Sequence, residues 1–277
     1  MRLFLLPIIL SSIFSCCDHQ KTEDQEFIDE DGLFIEVVDS LGDGKPNAYN
    51  RDNTIYLPER EFVFTYSFID KEGRECWFSR EGYGVKSKDS LTTKMITALS
   101  IEVQENNDFF DTDPDYNQTL LAYKYYLYND SISWPLEHTG VIENAKNVWM
   151  HPWRRAKYFY YLQLNPYPFI KHPYEIGHSW DWGFKLGSQW GYKEWRTWEG
   201  NIDLQHHYEI VAKENISTPY KAEIPCYVIE ATGDTQLGET RLTAYFNDEL
   251  GFIKLQYINI DSTQMTIELK EIRGMDE

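Results

Sequence analysis

From residue 178 onward, apolar and polar residues alternate along one short segment after another, and tight turns separate the segments. In "HSWDWGFKLG" the alternation puts Trp180, Trp182, Phe184 and Leu186 on one face. "NIDLQHHYEI" does the same with Ile202, Leu204, His206, Tyr208 and Ile210. "CYVIEA", "TRLTAYF", "FIKLQYINI" and "MTIELKEI" follow, with "NDELG" and "DST" as turns. Side chains alternate faces along a strand, so this pattern specifies half-buried strands joined as an antiparallel meander. Strands and helices do not alternate, which argues against a parallel doubly wound sheet. A long antiparallel sheet hides its edges by curling. The expected fold is therefore mostly β, a curved antiparallel sheet rolled into an open or partial barrel, with one or two short helices.

The first half of the chain reads in the same way. "EFVFTYSFID" sets Phe62, Phe64, Tyr66 and Phe68 on one face, and "DKEG" turns the chain into "RECWFS" to make a hairpin. "TLLAYKYYLYND" reads as a further strand. In "DSLTTKMITAL", Leu91, Met95 and Leu99 recur every four residues behind Asp89 or Ser90 as a cap, and the spacing predicts a helix. Residues 134–177 are broken by Pro135, Pro152, Pro166, Pro168 and Pro173, so they are expected to be irregular. Within them "RRAKYFYYLQL" fits a short helix or a strand equally well.

The formal charge of −19 over 277 residues repels nucleic acid and anionic membrane surfaces, so neither is an expected partner. Cys76 and Cys226 either form one bridge or remain two buried thiols. No Cys/His spacing suggests zinc. His206 and His207 are neighbours on a strand and face opposite sides, so no metal or other cofactor is expected. There is no GxSxG, no HExxH and no phosphate-cradling glycine loop, which favours a non-enzymatic protein. The acidic loops 39–47 and 107–117 lack the ligand pattern of an EF-hand.

The N-terminus carries an address. Leu3 to Phe14 is apolar apart from Ser11 and Ser12, too short for a spanning helix of about 20 residues and suited to a secretory signal. Ile13-Phe14-Ser15-Cys16 resembles the bacterial lipobox, although Phe14 is bulkier than is usual there. The resemblance implies a signal peptide over 1–15, cleavage before Cys16 and lipidation of its sulfur. Seven acids stand against Lys21 between Asp18 and Asp31, so residues 16–32 read as a solvated tether. "QKTEDQE" resembles the acidic export signal of Bacteroidota-type surface lipoproteins. It implies a protein anchored in outer-membrane lipid, at the cell surface rather than on the periplasmic face. The body divides into a β-rich region over 33–133 and an aromatic-rich region with the meander over 134–277, as two units or one continuous domain.

"STPYKAEIPCYVIEATGDTQLGETRLTAYFNDELGFIKLQY" resembles the open-barrel envelope domains of lipoprotein-carrier (Lol-type) proteins. "GVIENAKNVWMHPWRR" resembles Bacteroidota lipoproteins with no assigned activity. The first resemblance covers the last quarter of the chain and implies a cavity for an apolar ligand, without assigning residues to it.

Composition supplies the candidate residues. Eight of the nine tryptophans lie between Trp134 and Trp198. Indole offers a large flat face and one donor, suited to an apolar pocket or to stacking on a sugar ring. Trp180, Trp182, Trp190, Trp195, Trp198 and His206 are the expected lining of a barrel cavity, with Arg154 and Arg155 near its entrance to hold an anionic group or to pair with the chain's own acids. Trp180 and Trp182 share a face with Phe184 and Leu186, as core residues do. Trp195 and Trp198, three apart, are expected on opposite faces of a strand. The alternatives are a flat glycan-binding platform of exposed tryptophans, or a structural or assembly lipoprotein with a protein partner. Replacing the anchor cysteine, Cys16→Ala, is expected to abolish metabolic labelling with a radioactive fatty acid; persistent labelling would overturn the lipobox reading.

Overall fold

The computed structural model describes residues 27–36, 53–80, 84–90, 92–104, 118–133, 137–154 and 159–274. Cys16, Arg155, Trp134 and both acidic loops lie outside them. A small hairpin comes first, β1 (Phe27–Glu30) with β2 (Leu33–Glu36). The first half of the main sheet contains β3 (Glu61–Ile69), β4 (Glu75–Phe78), β5 (Val85–Ser87), β6 (Ile96–Val103), β7 (Thr119–Leu127), β8 (Glu137–Glu143), β9 (Asn147–Met150) and β10 (Phe169–Lys171). The second half is β11 (Ser179–Gly187), β12 (Asn201–Ile216), β13 (Ile224–Thr235), β14 (Gly238–Asn247), β15 (Gly251–Ile258) and β16 (Gln264–Arg273).

Twelve strands follow one another around the sheet in the order β10-β9-β8-β7-β6-β3-β16-β15-β14-β13-β12-β11, while β4 and β5 branch from β3. Every pairing is antiparallel. The result is a nearly closed barrel-like sheet with one unsealed seam, between β10 and β11. The mostly-β expectation holds, and so does the meander: β11 to β16 pair strictly in sequence. The two halves meet where β16 pairs with β3, so the sequence boundary near residue 133 falls within one continuous sheet.

The alternation places side chains as read. Phe62, Phe64, Tyr66 and Phe68 are buried, and on β12 so are Ile202, Leu204, His206, Tyr208 and Ile210. The helix expected over 89–99 is not formed. Only Lys88–Ser90 takes a single 3-10 turn, and the chain enters β6 at Ile96. Ile96 and Leu99 are fully buried; Leu99 lies opposite Phe64 on β3 and Tyr125 on β7. Two partner strands and the β-branched Thr97 next to Ile96 outweigh a local four-residue spacing. Residues 27–32, read as tether from their acidity, instead form β1 and the turn into β2. The proline-rich stretch is also more ordered than expected, for β8, β9 and β10 lie within it. Cys76 and Cys226 are both buried and unbonded; burial, with Asp248 adding to it, pushes the Cys226 thiol up to about 12.

The barrel's interior is filled by its own chain. Between β9 and β10 the backbone crosses the inside, carrying a 3-10 turn, Tyr160–Leu164, entered through Phe159 at φ 67°. Trp153, Phe159, Leu162 and Leu164 have no exposed surface. Trp153 stacks on Tyr123 at 5.6 Å and meets Phe64 edge-on at 5.0 Å. Phe159 packs on Phe78 and Tyr66 at 4.8 and 5.7 Å. Polar links tie the segment to the wall: the Tyr123 hydroxyl donates to the His151 carbonyl, that of Tyr125 to the Arg154 carbonyl, and Thr240 Oγ1 to the Leu164 carbonyl. Asn165 Nδ2 donates to Asn259 Oδ1 at 2.9 Å. Trp153→Ala removes the largest of these plugs and is expected to cost about 3–5 kcal/mol in denaturant unfolding; a loss under about 1 kcal/mol would mean that the interior collapses around the gap.

Candidate functional site

At the seam β10, three residues long, pairs only with β9, and β11, nine residues long, pairs only with β12, so the outer edge of β11 has no partner strand. The hairpin lies across this gap. Its turn meets β11, where a Cβ on Gly32 would stand 2.7 Å from the Asp181 carbonyl oxygen, so glycine with φ 95° is required there. Its second strand is held by two asparagines from the turn joining β8 and β9. Asn147 Oδ1 accepts from the Phe34 N–H at 2.8 Å, while Asn147 Nδ2 and Asn144 Nδ2 donate to the Phe34 carbonyl at 3.1 and 2.9 Å. Lys171 Nζ donates to the Gly32 carbonyl at 2.9 Å and lies over the Phe34 ring. Leu33 and Ile35 turn inward and are buried.

Beneath the hairpin is a cleft of about 500 Å³. Its wall is aromatic: Trp149 from β9, Tyr167 from the inner segment, and Trp182 and Phe184 from β11, with His151 among them. Trp149 meets Trp182 edge-on at 5.5 Å and His151 at 4.6 Å; Tyr167 lies 5.3 Å from Trp182 and 5.0 Å from Phe184. Glu30, Asp31 and Gln118 form the rim. Two shielded polar atoms in this wall have no hydrogen-bond partner, Trp149 Nε1 and His151 Nδ1. Burial, reinforced by the charge of Arg154, holds His151 down at about 3, so its imidazole is neutral.

The residues chosen from sequence separate into distinct places. Trp182 is in the cleft wall. Trp180 and His206 stand behind it: Trp180 stacks on Tyr208 at 5.4 Å and crosses the seam to Phe169 at 5.6 Å, and the His206 ring is 5.8 Å from Trp182. Trp190 belongs elsewhere, under the Arg154 guanidinium at 5.5 Å and against Tyr160. Trp195 lines a second cleft of about 270 Å³ with Phe68, Phe78 and Tyr161. It and Trp198 lie in the loop after β11, not on a strand, and both are half-buried. All described tryptophans are buried or half-buried, so no flat exposed platform of indoles is present among the described residues. No group of three or more potential metal ligands is found among them either.

Trp149, His151, Tyr167 and Phe184 were not singled out from sequence for the site. The one available signal was Phe184, on the same face as Trp180 and Trp182. No protein-family model and no curated protein matches the chain. Among solved structures it is similar to a predicted lipoprotein of Parabacteroides distasonis ATCC 8503, with 12 % identity and a TM-score of 0.42, over 80 % of this chain and 100 % of that one. It is also similar to a predicted exported protein with a YmcC-like fold from Bacteroides fragilis NCTC 9343, with 10 % identity and a TM-score of 0.41, over 78 % of this chain and 96 % of that one.

Two outcomes follow from this geometry. Asn147 has no exposed surface, and Asn147→Ala leaves the Phe34 N–H without its acceptor. Amide exchange across residues 27–36 is expected to accelerate, with little change in the main sheet; unchanged exchange would place the hold on the hairpin elsewhere. His206 is held at about 3 by burial, below its ordinary value. The unfolded chain therefore binds a proton that the folded chain refuses, and stability is lost as pH falls from about 6.5 toward 3. His206→Asn should flatten the pH slope of the unfolding free energy there by up to about 1.4 kcal/mol per pH unit; an unchanged slope would show that His206 protonates within the fold.

Proposed function

We propose that this chain is a lipid-anchored protein of the bacterial outer membrane, displayed at the cell surface, that holds an apolar or amphiphilic molecule in the seam cleft without catalysing a reaction. The anchoring rests on the signal-like stretch before Cys16 and on the acidic segment that follows it. The binding rests on one observation: an aromatic cleft of about 500 Å³ at the unsealed seam, with two shielded polar atoms unpartnered in its wall. That volume lies within the ~300–1,000 Å³ of small-molecule sites, and an aromatic wall behind a polar rim of Glu30, Asp31 and Gln118 suits a molecule with an apolar body and a polar end. The site is at the seam and not in the barrel's centre, because Trp153, Phe159, Tyr161, Leu162 and Leu164 already fill the centre. Trp182 is its main wall from β11. Trp180 and His206 fix Trp182 from behind and do not themselves face the ligand.

The test is native mass spectrometry of the protein purified from envelope extracts, before and after organic extraction. An extractable adduct beyond the acyl anchor is expected, and it should be lost in Trp182→Ala while the far-ultraviolet spectrum of the fold is kept. A bare mass for the wild-type protein, together with no uptake of added amphiphile, would overturn the reading.

A further inference from the structure

The wall and rim of the seam cleft carry an asymmetry of charge that bears on what it binds, and the inference drawn from it rests on the reading of the cleft as a binding site. A third cleft of about 300 Å³ shares Asp31, Trp182 and Gly183 with the seam cleft, and extends it to Asp181 on β11 and Gln205 on β12. Neither has a lysine or arginine in its lining, while Glu30, Asp31 and Asp181 contribute carboxylates to the pair. His207 lies beside Asp181, with its Nδ1 2.7 Å from the carboxylate. Lys171, on the flank, has its ammonium on the Gly32 carbonyl and over the Phe34 ring. The wall behind these acids presents Trp149, Tyr167, Trp182 and Phe184, rings whose faces are electron-rich.

Carboxylates at a rim in front of aromatic faces attract cations and repel anions. A cation within about 6 Å of an indole or phenol ring is held by the ring quadrupole, most strongly where water is excluded. The carboxylates add a Coulomb attraction of the same sign, and the net negative charge of the chain steers cations to it. We infer that the seam cleft takes a molecule with a cationic ammonium head on an apolar body, with the head between Glu30, Asp31 and the rings of Trp149 and Trp182, and that it rejects anionic amphiphiles.

The test uses the mature chain carrying Cys16→Ser, so that no acyl anchor competes, and three probes that share an eight-carbon tail: octyltrimethylammonium, octyl glucoside and octyl sulfate. Each is titrated below its micelle concentration at low ionic strength and followed by tryptophan fluorescence. The ammonium probe is expected to bind at least about tenfold tighter than the sulfate, with the glucoside between them. In Glu30→Gln/Asp31→Asn, both on the exposed hairpin turn, that preference should fall to within about twofold while the glucoside binds as before. Sulfate binding as tightly as ammonium would overturn the inference and leave an apolar site. A preference that persists undiminished in the double variant would overturn it too, assigning the selectivity to the charge of the whole chain. Failure of all three probes to bind would remove the binding reading of the cleft itself.

Discussion

The pairing of β3 with β16 is the constraint on which the rest of the molecule depends. It joins an N-terminal run of strands to a C-terminal meander, and so fixes which two edges are left to face each other across the barrel. A polar cluster locks it. Glu61 on β3 accepts from Ser100 Oγ at 2.7 Å, from the Tyr126 hydroxyl at 2.8 Å and from Arg273 Nη1 of β16 at 2.9 Å, with Lys124 3.3 Å away. Burial alone would raise the Glu61 carboxyl; the bonds from Ser100, Tyr126 and Arg273 outweigh it and hold the group below its ordinary value. The carboxylate therefore stays charged where four strands converge. With that join made, β10 and β11 become the two free edges, and the seam lies between them.

A twelve-stranded barrel is wider than the side chains of its wall can fill, since about eight strands is where inward-facing residues suffice. This chain closes the gap with backbone as well as side chains. Residues 151–154 and 159–168 lie within the barrel, and their prolines suit a path that makes no ladder of its own. The same requirement accounts for the unusual aromatic content. Trp153, Phe159 and Tyr161 are space-filling groups inside, and Trp180 and Phe169 bridge the seam where no hydrogen bonds do. At the seam, Trp149, Tyr167, Trp182 and Phe184 line the cleft instead of filling the interior.

How much of this was legible from sequence depended on range. Where burial on one face decides everything, as on β3, β11 and β12, the period of two gave both the strand and its inner face, His206 included. It failed where tertiary partners decide. Met95 and Leu99 carry a helical spacing, but Leu99 lies between Phe64 and Tyr125, and no local pattern announces that. Phe27–Glu30 is acidic enough to stay in water; it folds because Asn147, more than a hundred residues later, presents a donor and an acceptor to Phe34. The cleft was the least legible part. Trp149, Tyr167 and Trp182 come from the strand next to one edge, an inner segment and the opposite edge strand, and only the failure of β10 and β11 to pair brings them together.

The join between β3 and β16 also sets a timetable. Its partners are some two hundred residues apart in the chain, so closing it carries a large loop-entropy cost before any ladder bond repays it. The inner segment gains its enclosing wall only when that closure has occurred. Until β16 is in place, the inner aromatic face of the unfinished sheet has no enclosing wall.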